Sequence, residues 1–123
     1  KPPVTREGGL RAFEAFRKLY PQADGAICVS DLLAFGFVSA ASRQGLQIPR
    51  DFKLAGFGDY DIAEICVPSL TTVAVEPRRI GELAARCAIS IAEGQPDTVS
   101  HHEVEVTVVT RETTAIAAPK THR

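Results

Sequence analysis

The sequence predicts an α/β domain built on a mainly parallel sheet with flanking helices. Short apolar or β-branched runs alternate with longer stretches whose apolar residues recur every three or four positions. Gly and Pro fall between these runs, where each must stop. The resulting order is helix, strand, helix, strand, turn, strand, helix, strand. Helical crossovers between successive strands make those strands parallel.

The first helix is expected over 9–20. Leu10, Phe13, Phe16, Leu19 and Tyr20 share one face, Arg11, Glu14, Arg17 and Lys18 lie off it, and Pro21 stops it. The apolar run 26–29 suits a buried strand and is too short for a helix. A second helix follows over 32–43. Either Ser30 or Asp31 can start it by accepting from free backbone N–H groups, and Gly45 and Pro49 end it. Residues 53–57 form a second strand, leading to Gly58-Asp59-Tyr60-Asp61. One or two helical turns are expected over 62–66, before Pro68, and the β-branched run 70–75 is a third strand. Pro77 suits the first position of a helix. Its stripe of Ile80, Leu83, Ala84, Cys87, Ala88 and Ile91 is a packing face, closed by Gly94 and Pro96. Residues 103–108 alternate with period two, as a half-buried strand does, and the patternless tail 115–123 is expected to fray.

Composition narrows the function. The 123 residues carry 14 Lys and Arg against 15 Asp and Glu, a net charge of −1. With no basic excess to displace counterions, the chain does not grip nucleic acid by bulk electrostatics. No apolar run approaches the roughly 20 residues of a membrane span. No basic and apolar leader opens the chain. Cys28, Cys66 and Cys87 lie in apolar company, as small buried hydrophobes of a reducing cytosol do. There is no Met and the chain opens Lys1-Pro2-Pro3, so it is expected to be a piece of a longer protein.

No phosphate-cradling glycine motif, no G-x-S-x-G elbow and no C-x-x-C pair is present. His101 and His102 are adjacent, so in a strand they face opposite sides and read as solvated edge residues rather than metal ligands. The expectation is no catalysis, no cofactor and no metal. Ligands of parallel sheets sit at the carboxyl ends of strands. There, Val29 leads to Ser30-Asp31 and Phe57 to Gly58-Asp59. Asp31 and Asp59 read first as caps or turn acids and second as walls of a ligand crevice. Ser30 is open to the same two readings. Leu10 and Phe13 are core residues unless the fold brings them to the rim.

From Cys28-Val29-Ser30-Asp31-Leu32-Leu33-Ala34-Phe35-Gly36 onward the chain resembles the LacI/GalR family of transcriptional regulators. The resemblance continues through Gly45-Leu46-Gln47-Ile48-Pro49-Arg50-Asp51, Leu54-Ala55-Gly56-Phe57-Gly58-Asp59 and Pro68-Ser69-Leu70-Thr71-Thr72-Val73. It closes with Ile80-Gly81 and Val109-Thr110-Arg111-Glu112-Thr113-Thr114. It implies the carboxyl-terminal portion of a type I periplasmic-binding-protein-like fold. Residues 1–114 would be part of an effector-binding domain, mostly its second lobe, with helix 77–93 belonging to the first. The helix-turn-helix would lie outside this chain, so DNA would be bound only through that headpiece, in the cytoplasm. The stripe on helix 77–93 would lack its usual partner, and so is expected to repack on its own chain or exchange with a second copy.

The resemblance places effector contacts at Leu10, Ser30 and Gly58, with Asp31 and Asp59 beside them. Gly58 stands where the family usually has an Asp that accepts from sugar hydroxyls. Its loss removes a negative charge and opens the backbone, which implies a sugar acid such as gluconate; Gly58→Asp would then weaken that ligand. Family members pair as homodimers, and Phe35, Val38 and Cys66 are the candidate interface residues. Two rivals stay open: a periplasmic-type sugar-binding protein of the same fold, and a receiver-like domain holding a divalent metal on Asp31 and Asp59.

Overall fold

The computed structural model describes residues 3–95 and 101–115. Helix α1 (Arg6–Leu19) starts ahead of the periodic stretch. The Thr5 hydroxyl accepts the Gly8 N–H at 3.0 Å, satisfying a donor that the first turn leaves orphaned. Gly8 and Gly9 therefore lie inside the helix, where both are buried. Strand β1 (Gly25–Ile27) is shorter than the expected run, although the Cys28 N–H still donates to the Ala55 carbonyl at 2.8 Å. Then come α2 (Asp31–Arg43), β2 (Lys53–Gly58), α3 (Asp61–Ile65), β3 (Thr71–Ala74), α4 (Pro77–Ala92) and β4 (Thr107–Val109). A single 3₁₀ turn, Glu112–Thr114, ends the described chain and was not anticipated.

The four strands lie in sequence order, β1-β2-β3-β4. The first three pair in parallel, in a register that sets Ala26 beside Leu54 and Gly56 beside Thr72. By contact the chain divides into two compact units, one running up to Ala74 and resuming at Val108, the other Val75–Thr107.

The core of the first unit lies between α1, α2 and one face of the sheet. Phe13 is fully buried, its ring edge-on to Phe37 at 5.4 Å and to Phe52 at 6.2 Å, with Phe16 closing the cluster. The two helices meet through glycines. A Cβ on Gly9 would strike the Leu33 carbonyl oxygen, and one on Gly36 would strike that of Arg6. Because side chains alternate along a strand, the same geometry that buries Cys28, Leu54 and Gly56 leaves Ile27, Val29 and Phe57 on the open face.

Cys28 and Cys66 are buried, as expected. Burial, with a smaller contribution from the Asp31 charge, pushes the Cys28 thiol up to about 12, and burial also raises that of Cys66. At pH 8 an alkylating reagent is therefore expected to leave Cys28 unmodified until the protein unfolds, as intact-mass spectrometry would show.

Two expectations for the second unit are corrected. Residues 103–106 are not a strand despite their alternation, since Val106 is 56% exposed and no packed face rewards the pattern. The histidines are accordingly not edge residues of a strand. His101 is exposed, and His102 places Nε2 3.3 Å from the Cys87 Sγ. Helix α4 buries none of its residues.

Candidate functional site at the strand ends

The carboxyl ends of β1 and β2 turn into α2 and α3, and these turns make the rim. After β1, the Ser30 hydroxyl accepts the Leu32 N–H at 3.3 Å and caps α2, with Ser30 itself buried. Asp31 opens the helix, where the dipole favours its charge. It does not face a crevice. It is fully buried, its Oδ1 accepting the Thr72 hydroxyl at 2.6 Å and its Oδ2 the Tyr60 N–H at 2.9 Å. That position requires glycine at 56, since a Cβ there would collide with Asp31 Oδ1.

After β2, two successive residues take positive φ, Gly58 at 121° and Asp59 at 53°. Asp is among the few non-glycine residues that adopt this conformation readily. The turn is held from β3, where Thr72 Oγ1 also accepts the Asp59 N–H at 3.3 Å. The Asp59 carboxylate lies 2.8 Å from Arg111 Nη2. Arg111 is itself fixed, its Nη1 donating to the Leu70 carbonyl at 3.0 Å and its backbone N–H to Thr71 Oγ1 at 2.8 Å. The 3₁₀ turn docks beside it. Thr113 Oγ1 accepts the Thr71 N–H at 2.8 Å, and Glu112 Oε2 accepts the Ser69 N–H at 2.7 Å and its hydroxyl at 2.9 Å. These bonds from Ser69 hold the Glu112 carboxyl below the usual carboxylate range.

An open apolar concavity of about 330 Å³, lined by Ile27, Cys28, Val29 and Phe57, adjoins this polar rim. An apolar floor beside a few placed polar groups is the general character of a small-molecule site.

Ser30, Asp31, Gly58 and Asp59 are thus gathered at the strand ends, although Ser30 and Asp31 are engaged in holding the turns. Leu10 is partly buried against the core on α1. Val38 and Cys66 are buried against their own chain, while Phe35 is half-buried. The oxygens of Asp31 and Asp59 are turned to different protein donors. Among the described residues no group of three or more His, Cys, Asp or Glu could hold a metal ion. Thr72, Tyr60 and Arg111 were not singled out beforehand. Thr71-Thr72 and Arg111 lie in segments that carry the family resemblance, but nothing in a linear sequence pairs Thr72 with Asp31 across a separation of 41 residues.

The fold is that of a domain of the periplasmic-binding-protein type. The family model described as a periplasmic binding protein-like domain matches residues 3–114, and the chain belongs to that family. It is 35% identical over 91 residues to the HTH-type transcriptional repressor CytR of Escherichia coli strain K12, covering 74% of this chain and 27% of that protein. It is 33% identical over 90 residues to the HTH-type transcriptional regulator GntR of the same strain, covering 73% and 27%. The crystal structure of a LacI family transcriptional regulator from Arthrobacter sp. FB24, in complex with lactose, matches with a TM-score of 0.77 and 27% identity, over 93% of this chain and 43% of that one. The resemblance to LacI-type regulators is therefore borne out for family and fold. The chain spans just over a quarter of the length of these curated relatives, at 27%.

Proposed function

We propose that this chain is the effector-sensing part of a LacI-type transcriptional regulator, that it takes a sugar or sugar acid at the rim, and that it performs no chemistry on it. The observation carrying this reading is that both rim carboxylates already have protein donors. Asp31 is held by Thr72 and Tyr60, and Asp59 is neutralised by Arg111. Gly58 adds no charge. An anionic effector would meet no exposed unpaired carboxylate from these positions, which favours a sugar acid such as gluconate.

The site comprises Ser30, Gly58 and Asp59, with Leu10 a more distant wall and Asp31 in a supporting place. Helix α4 belongs to a first lobe, a reading supported by its lack of any buried residue. A homodimer forms through the α2 side, where Phe35 remains partly open. The bound effector would shift lobe geometry and, through the dimer, the presentation of a DNA-binding headpiece outside residues 3–114. A cytoplasmic setting follows from that role. Among the described residues no helix is long and apolar enough to cross a membrane.

Titration calorimetry with gluconate and, separately, with lactose tests the reading. Preference for gluconate is the expected result. Binding of lactose alone would retain the sensor and discard the charge argument, and binding of neither would overturn the effector assignment. Gly58→Asp is a poorer probe than the sequence suggests. The positive φ at 58 strains any side chain there, so weaker binding would not report charge alone.

A further inference from the structure

We propose that the ring of Tyr60 is a stacking surface for the carbon skeleton of the effector, occupying the space that a side chain at position 58 would otherwise take. This rests on the sensor reading above and adds to it a residue that determines specificity. The backbone explains the placement. Consecutive positive φ values at Gly58 and Asp59 fold the chain back, and the Tyr60 ring comes to rest over Gly58. A Cβ at 58 would lie 2.8 Å from Tyr60 Cε2, 3.1 Å from Cζ and 3.2 Å from Cδ2. Glycine at 58 and the aromatic ring at 60 are therefore one arrangement. A side chain at 58 would evict the ring, and the ring supplies a surface where a carboxylate would have supplied an acceptor.

The ring is held but not hidden. The Tyr60 N–H is anchored on the buried Asp31 carboxylate at 2.9 Å, which fixes the root of the side chain, while the residue remains 56% exposed. A pre-placed aromatic loses little freedom on binding, and its flat face matches the C–H face of a sugar. Phe57, immediately before the turn, carries the apolar surface on into the concavity lined by Ile27 and Val29. The phenol hydroxyl is an added donor, not the basis of the contact.

Tyr60→Ala, Tyr60→Phe and the unmodified protein are titrated with gluconate and with lactose. Neither substitution touches the backbone N–H that Asp31 accepts, so both proteins should fold. Expected is a loss of at least about threefold in affinity for the bound sugar in Tyr60→Ala, with Tyr60→Phe within about twofold of the parent. An unchanged affinity in Tyr60→Ala overturns the stacking role and leaves the sensor reading intact. An equal loss in both variants overturns it too, because the hydroxyl would then be what matters. If the unmodified protein binds neither sugar, both readings fall together. The chain has two Tyr and no Trp, so Tyr20→Phe leaves Tyr60 as the sole tyrosine, excited at wavelengths where Phe does not absorb. Its fluorescence should change at saturating sugar, and constancy would count against the contact.

Discussion

Asp31→Ala is expected to lower the unfolding free energy by about 3 to 5 kcal/mol, a large share of what a domain this size has. Two donors lose their acceptor at once, the Thr72 hydroxyl and the Tyr60 N–H. The Thr72 hydroxyl is buried together with the carboxylate, so that donor loses its partner away from solvent. Relief from burying a charge offsets part of this, but helix α2 also loses the anion in its first turn. Asp31→Asn keeps the shape and one accepting oxygen, and should cost about half as much. Urea denaturation followed by circular dichroism measures both. A midpoint within error of the parent for Asp31→Ala would show that the carboxylate does not anchor the turn.

Gly36→Ala should also be severe, with a net loss of about 2 kcal/mol or more. Alanine would ordinarily favour a helix interior by about 1 kcal/mol over glycine. Here the new Cβ meets backbone alone: the Arg6 carbonyl oxygen, the Gly9 Cα at 2.6 Å and the Gly9 carbonyl carbon at 2.8 Å. No side chain can rotate away, so α1 and α2 must separate and open the aromatic cluster beneath them. Gly81→Ala provides the contrast. It sits inside α4 with nothing within 4 Å of the added carbon, and should gain up to about 1 kcal/mol in helix stability. Equal effects at the two glycines would refute the close approach of the helices.

The order of elements was legible because each is announced locally. The α1 face repeats at helical spacing, and β1 and β2 are short apolar runs between turn residues. The run 103–108 misled because alternation reports a strand only where a packed face selects it, and most of it has none. Asp31 was harder for another reason. Acids beside helix starts are ordinarily caps, and the alternative considered was a ligand wall. Its place as a buried anchor depends on the β2–β3 register, which sets Gly56 beside Thr72 and admits the carboxylate over a glycine. Likewise, Tyr60 looks like an ordinary turn residue until the φ of 58 and 59 is known. The family resemblance located the turns of the site but not the bonds that hold them.

The chain leaves the first compact unit at Ala74 and rejoins it at Val108, and the bonds that close this excursion join residues 42 and 43 apart. To a folding polypeptide that is a long loop whose ends must meet before Ser69, Thr71, Glu112 and Thr113 gain anything. Closure entropy grows only logarithmically with length, at about 0.6 kcal/mol per doubling. Replacing the excursion with a flexible linker about a quarter as long would thus return only about 1.2 kcal/mol. The larger gain would be in rate, since fewer contacts would await a distant partner. Whole segments can consequently be carried between β3 and β4 at small thermodynamic cost, which makes this junction a tolerant site for domain insertion.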